Sequence, residues 1–430
     1  MKKSLFAVAA ATAFTGAAQA QSSVTVYGIL DVGYTGGTAK IYNTQQTVNR
    51  ISNSMESGSR LGFRGNEDLG GGTAAQFVFE LGIQPAGNAG SNPDGAAGGA
   101  VGAGTWNPNV RQAFVGLSQK GMGQARVGTQ NTLFWEQAGS NTAGQLSQTY
   151  GSMLAPSTDG AFFNTTVISA TLTSLIGGAA LSSYTSRTTN TINFRSERMA
   201  GVMAKASYTI SNQDSSATKA TNNGSWGAAG GYSGGASNQS GYQLALDWNI
   251  QKANIQASYA AFKSENPFGA VTAACSATAS NGCATSTVST AGGVVGWGTG
   301  VQGNNVADNQ ALITASYNFG ILTAYAGWTN RKISNGLNDN QFVKRTAQEI
   351  GARGYATKTI EYWGSIGNGR YQSWGTSSPT ANIVGYQVGS NYWMSKRTNL
   401  YAILGSNKTS STSVGAGSVS QYSLGVRHTF

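Results

Sequence analysis

Two short segments at opposite ends of the chain carry the clearest pattern. Val24, Val26, Gly28, Leu30, Val32 and Tyr34 share one face, and Thr25, Tyr27, Ile29, Asp31 and Gly33 share the other. Near the end, Tyr422, Leu424, Val426, His428 and Phe430 alternate with Ser423, Gly425, Arg427 and Thr429. A period of two with one apolar side predicts a β-strand. The same reading along the chain predicts strands near 24–34, 58–67, 73–82, 109–118, 123–130, 187–196, 201–211, 240–249, 253–263, 308–318, 321–331, 346–353, 356–365, 383–394, 398–408 and 420–430, sixteen in all. The alternation is poorest at 346–353.

The connections between these strands sort by length. Long ones fall at 35–57, 83–108, 131–186, 212–239, 264–307, 332–345, 366–382 and 409–419. Short ones include Asp68 to Gly72, Gln119 to Met122, Glu197 to Ala200, Gln251 to Lys252 and Gly320. Successive antiparallel strands place alternate connections on opposite sides. Long on one side and short on the other is the signature of a transmembrane barrel. A β-sandwich has no reason to sort its loops so, and a β-helix would show a short fixed period that is not seen here. The expected fold is all-β: a 16-stranded antiparallel transmembrane β-barrel with long extracellular loops and short periplasmic turns. In hydrocarbon every strand edge must be paired, which closure achieves. Sixteen strands enclose more space than side chains fill, which leaves an aqueous lumen.

Composition narrows the class further. Charged residues are 10% of the chain, against roughly 25% in ordinary soluble domains, and there are 60 Gly and only 6 Pro. After the first twenty residues no stretch approaches the ~18 consecutive apolar residues of a spanning helix. Composition alone would also suit a soluble β-helix or a fibrous surface protein; the alternation and loop lengths favour the barrel. Met1, Lys2 and Lys3 precede the apolar run Leu5 to Phe14, and Ala18-Gln19-Ala20 is a small-x-small cleavage site. Residues 1–20 therefore read as an export signal and 21–430 as the barrel. This places the chain in the cell outer membrane, in contact with membrane lipid and lipopolysaccharide.

The 27 Lys and Arg, less Lys2 and Lys3, leave 25 basic against 16 acidic side chains, a formal charge of +9. In an exported chain with dispersed basic residues this does not indicate nucleic acid. Charges lining a lumen would attract small inorganic and organic anions. Cys275 and Cys283, eight apart, suit a small loop disulfide in an oxidising compartment. The lone histidine, His428, lies on the apolar face of the last strand, a poor place for a general base. With no acid–histidine cluster in view, the sequence points away from an enzyme, a metal site or a cofactor. Trp328, Tyr362, Trp363, Tyr392, Trp393 and Tyr401 lie within or near strand ends, where aromatic rings favour the headgroup level.

Several stretches resemble the general porins of the beta-proteobacterial type. The first strand Ser23 to Asp31, the motif Ser59 to Gly72, the run Arg111 to Leu117 and the C-terminal strand Tyr422 to Phe430 carry the resemblance. It spans the chain after the signal and thins in the long loops. The resemblance implies homotrimers of sixteen-stranded barrels, each with its own pore narrowed by an inward-folding third long loop. It implies passage of small hydrophilic solutes, with anion preference in several members. It also implies that the terminal aromatic strand, here Tyr422, Leu424, Val426 and Phe430, is read by the barrel assembly machinery.

Candidate pore residues follow from both arguments. Arg60 and Arg64 share a face opposite Leu61 and Phe63, and an arginine facing lipid would cost ~2–4 kcal/mol at the midplane. Both are therefore expected in the lumen, as are Asn193, Arg195, Arg126, Gln130 and Arg427. Alternation assigns Arg111 and Arg187 poorly, since Arg111 shares a face with Ala113, Val115 and Leu117. The resemblance matches Arg60, Arg111 and Arg187 to the basic pore residues of the family. Many members carry a further arginine at the position of Thr129; here it is absent, with Arg126 nearby. The connection 131–186 is the inward-folding candidate, and its only charges are Glu136 and Asp159. A carboxylate there, facing the arginines, would set up a transverse field; Asp159 either contributes to it or holds loop hydrogen bonds. Val167 to Leu181 is unusually apolar and suits packing against the inner wall or a subunit boundary. A surface-adhesion barrel, or a channel dedicated to one anionic solute, remains open at this point.

Overall fold

The computed structural model describes residues 23–41, 44–86, 109–145, 147–154, 186–219, 232–266, 304–335, 342–373, 380–411 and 417–430. The strands are β1 (Ser23–Ile41), β2 (Thr44–Asn53), β3 (Arg60–Gly70), β4 (Thr73–Gly82), β5 (Asn109–Gln119), β6 (Gly123–Asn131), β7 (Arg187–Ser196), β8 (Val202–Lys219) and β9 (Tyr232–Ile250). They continue as β10 (Ala253–Asn266), β11 (Asn304–Asn318), β12 (Leu322–Asn335), β13 (Phe342–Tyr355), β14 (Ile360–Ser373), β15 (Thr380–Trp393), β16 (Thr398–Ser411) and β17 (Gly417–Thr429). One helix, α1 (Leu133–Ser140), follows β6.

All strand pairings are antiparallel and the sheet closes on itself. Over Ile29 to Ile41, β1 pairs with β17. On its other side the lower half of β1 pairs with β3, and the upper half with β2. Strands β2 and β3 thus share one place in the wall, interrupted by an inward excursion over residues 54–59. Ser54, at φ 63, turns the chain into it. Seventeen segments fill sixteen wall positions. By its pattern β2 belonged inside a long connection: its only large apolar residues, Val48 and Ile51, are three apart and break the period of two.

The two faces invert the arrangement of a soluble protein. Exposed side chains on the outer face include Val115, Leu246, Ile350, Val388 and Leu424, while Asp31, Gln130, Asn193, Thr314, Gln387 and Ser423 are buried on the inner one. An apolar outer wall around a polar interior matches a barrel solvated by lipid outside.

Two irregularities matter for the interior. The register of β4 against β5 shifts between Glu80 and Leu81, which pair with Gln112 and Val110 and leave Arg111 as an extra residue. A bulge resets which face each later residue occupies. Val110 is exposed outside while Arg111 is buried, so the bulge turns Arg111 into the lumen despite the parity it shares with Val115 and Leu117. A second shift separates Gly128 from Gln130 on β6. The aromatic residues divide: Trp328, Tyr362 and Tyr392 are exposed on the outer wall, whereas Trp363 and Tyr401 are buried with Met55 and Ile403 in an interior cluster. Trp393 also turns inward and donates to Glu361 at 3.2 Å. For these three the headgroup expectation is corrected; their positions on the strand place them inside.

Candidate functional site

A long segment enters the barrel after β6. Thr132 caps α1 by accepting from Trp135 N at 3.1 Å, and Glu136 lies in the first turn, the favourable end of the helix dipole for an acid. Phe134 packs with Leu154, Ala260, Phe262 and Leu312 against the inner wall. The Gln137 amide donates to Gln256 O, Leu312 O and Thr314 Oγ1 at 3.0, 3.2 and 3.1 Å and accepts from Ser258 at 2.6 Å. Beyond the helix, Arg353 Nε donates to Ala143 O at 3.0 Å, Gln148 N to Met55 O at 2.9 Å, and Gln387 Nε2 to Thr149 O. Tyr150 N donates to Gln421 at 3.2 Å. Residues 132–145 and 147–154 therefore run along the inside of the wall, from β9 round to β17 and back to β13.

This segment sits in a trough cut by small wall residues. A Cβ added at Gly327, Gly351, Gly367, Gly385 or Gly405 would come under 3.0 Å from Leu154, Ala143, Met153, Gly151 or Tyr150 respectively. These glycines lie on five successive strands, β12 to β16. Glu349, directly opposite both Gly327 and Gly367, rises between them. Its carboxylate accepts from Met153 N at 2.5 Å and Ser152 Oγ at 2.9 Å, and Arg345 on the same strand donates to Met153 O at 2.9 Å.

The charges inside are unevenly spread. On β4, Glu80 accepts from Tyr27 at 3.0 Å and from Arg111 Nε at 2.8 Å, with Arg60 at 3.9 Å. The Arg64 guanidinium lies over the Tyr27 ring at 5.4 Å, and that of Arg126 over Phe114 at 4.8 Å. Arg187 stacks on Trp135 of α1 at 5.4 Å. Glu136 is held by Arg195 at 2.5 Å and Lys205 at 3.7 Å. Across β3 to β8 the inward cations are Arg60, Arg64, Arg111, Arg126, Arg187, Arg195 and Lys205, and the described carboxylates set among them are Glu80 and Glu136.

The opposite wall is compensated. Arg331 pairs with Asp308 at 2.5 Å, Arg353 with Glu361 at 3.0 Å and Arg427 with Glu56 at 3.4 Å. Glu56, on the 54–59 excursion, also accepts from Asn391 and Asn399 at 2.8 and 2.9 Å. Asp31 accepts from Glu56 N, Ser57 N and Tyr401 Oη at 2.9, 2.7 and 2.7 Å. These ties fix the excursion beneath the inward segment.

Of the charged candidates named from the sequence, the structure brings Arg60, Arg64, Arg111, Arg126, Arg187 and Arg195 on the wall and Glu136 on α1 into one interior sector, while Arg427 pairs with Glu56 on the opposite side. Sequence reasoning did not find Glu80, Asp31, Glu56 or Glu349; Glu80 and Asp31 are single acids in otherwise apolar or neutral stretches, and Glu349 stands between Arg345 and Arg353. For Glu80 and Asp31 the inward parity on their strands was the available signal; Glu56 lies on the 54–59 excursion, outside any strand, and Glu349 on a strand of poor alternation. In the last strand Tyr422, Leu424, Val426 and Phe430 face outward, and Phe430 exchanges two backbone bonds with Gly28 at 3.1 Å. Cys275, Cys283, Asp159 and the run from 167 to 181 lie outside the described residues.

A closed antiparallel wall, apolar outside and charged within, defines an outer-membrane β-barrel of the channel-forming class. The chain belongs to the Gram-negative porin family, whose profile matches residues 7–412. It is 38% identical over 144 residues to an outer membrane porin protein of Bordetella pertussis, covering 31% of this chain and 34% of that protein. Over 82 residues it is 48% identical to outer membrane porin protein 32 of Delftia acidovorans, covering 19% of this chain and 22% of that one. The chain thus aligns with about a third or less of either relative's length. Among solved structures it is similar to the anion-selective porin from Comamonas acidovorans, with TM-score 0.61, 20% identity, and coverage of 95% of this chain and 100% of that one. The trimer form of OmpT from Vibrio cholerae gives 0.56 at 12% identity, covering 95% and 99%. At these identities the likeness is one of fold.

Proposed function

We propose that this porin is a passive diffusion channel for ions and small hydrophilic solutes, that it prefers anions, and that it works as a homotrimer with one pore per subunit. The observation that carries the preference is the excess of inward cations on β3 to β8 facing a compensated wall. Guanidinium groups stay charged at every relevant pH. Fixed in a lumen with low-dielectric walls, they raise the local anion concentration without a tight dehydrated site. The inward segment narrows the passage and sets a size limit. Glu136, neutralised by Arg195 and Lys205, acts more as a tie for α1 than as an opposing electrode. The anion-selective description of the Comamonas porin and the trimer form of the Vibrio one agree with this reading.

The test is the zero-current potential across a planar bilayer in a KCl gradient. Replacing Arg60 and Arg111 together with Ala is expected to move it toward the cation side. An unchanged potential in a variant that still forms channels would place those arginines outside the field that selects ions.

A further inference from the structure

The inward arginines differ in what holds them. Arg60 and Arg111 are drawn to Glu80, and Arg195 to Glu136. Arg353 lies over Trp363 and Arg427 over Trp393, and each also pairs with an acid, Glu361 and Glu56 respectively. Arg187, on Trp135, joins the wall to α1. Arg64 and Arg126 are held otherwise. Each lies over an aromatic ring, Tyr27 and Phe114 in turn, and neither forms an ion pair with a described carboxylate. The Arg126 guanidinium donates to Gln124 at 3.0 Å, and the charges that bear on it, Arg195 and Glu136, oppose one another.

Glycines let both stacks lie flat against the wall. Tyr27 on β1 stands directly opposite Gly62 on β3, where a Cβ would come under 3.0 Å from its ring. The Tyr27 hydroxyl donates to Glu80 at 3.0 Å, which fixes the ring at its far end. Arg64, two residues along β3 from Gly62, then covers that ring. On the other side Gly116 stands directly opposite Arg126, and a Cβ there would meet the Arg126 stem at 3.1 Å. The stem therefore runs low over the wall and lays its guanidinium on Phe114. Arg64 is exposed and Arg126 half-buried. Val78, which pairs with both Arg64 and Phe114, lies half-buried on the inner face between them, since Phe77 and Phe79 beside it are exposed outside. Both arginines stand nearer the short turns than Arg60 and Arg111 do.

A guanidinium lying on a ring keeps two things for a solute: its edge of N–H donors and its second face. The edge takes a carboxylate, and the face takes a flat π system. Chloride or an aliphatic carboxylate uses the charge alone. A carboxylate carried on an aromatic ring uses both, and Val78 adds apolar surface between the two platforms.

We propose that Arg64 and Arg126 are stacking platforms that retain aromatic carboxylates in the lumen, on the periplasmic side of Arg60 and Arg111. This rests on the channel reading above and adds a solute class to it. The experiment uses the full-length protein in a planar bilayer, carrying chloride current in KCl at neutral pH. Benzoate and cyclohexanecarboxylate are added in turn; they match in charge and carbon number, and only benzoate is flat. The reading is the ratio of the concentrations that halve the current. Benzoate is expected to act at about a fivefold lower concentration, the worth of one cation–π contact at a partly exposed site. Arg64→Lys with Arg126→Lys keeps both charges, removes both flat faces and should bring the two concentrations together. Each single change should move the ratio part of the way, and carries the test if the double variant forms no channels. Equal action of the two acids on wild type overturns the proposal, as does an unchanged ratio in the lysine variants. The zero-current potential of wild type in KCl alone reports the chloride preference separately, so failure of the channel reading and failure of this one are distinguishable.

Discussion

Glu349 and Arg345 stand four apart on β13 and hold opposite sides of one residue. The carboxylate takes the Met153 N–H and the guanidinium donates to the Met153 carbonyl. Removing Glu349 leaves that N–H and the Ser152 hydroxyl without their acceptor, a loss of about 1–3 kcal/mol for a buried group. Glu349→Ala is therefore expected to raise open-channel current noise in single-channel records, with Glu349→Gln, which keeps one acceptor oxygen, in between. Noise equal to wild type in both would show that the segment is held elsewhere. At this scale the sequence was readable wherever parity held. Arg60, Arg64 and Arg126 sit on the lumen side that alternation assigned to them. Arg111 was not readable, because a single extra residue in β5 reverses the parity of everything before it, and no composition signal marks the bulge. Glu349 was hidden by the poor alternation of its strand: Gly351 beside it is a seat for Ala143, not a filler of the wall.

Among the elements, the inward segment depends on a helix of eight residues. So short a helix is marginal alone, and here its cap, its apolar side and the Gln137 amide tie it to β9, β10 and β11. The trough of glycines does the same for the chain beyond it. At Gly327 the nearest obstacle to a larger side chain is the Leu154 side chain, with Thr314 next. Gly327→Val should push Leu154 off the wall into the lumen and lower single-channel conductance, without disturbing strand pairing. Conductance at the wild-type value would mean the segment does not limit flow at that point. The wall strands were legible because lipid and water impose opposite demands on successive residues. β2 was not, since its upper part stands beside β1 in a tall hairpin with few apolar side chains. Nor was α1: its length is below what a helical period can establish, and its apolar side chains meet wall residues distant in sequence.

For the molecule as a whole, closure is what makes the rest possible. β1 joins β17 along one edge and β2 and β3 along the other, so every edge in the lipid layer is paired. The sorted loop lengths make this closure legible in the sequence; the uneven distribution of charge inside is not, since it arises from which distant strands become neighbours. The field from the basic sector crosses water, so it should weaken as salt screens it, with a screening length of about 10 Å at 0.1 M and about 3 Å at 1 M. The most direct test is the zero-current potential of the reconstituted protein in KCl gradients centred on those two concentrations. The account predicts steady current steps with chloride favoured over potassium at the lower salt and the preference fading at the higher. A potential favouring potassium, or a barrel that inserts and passes no current, would contradict it.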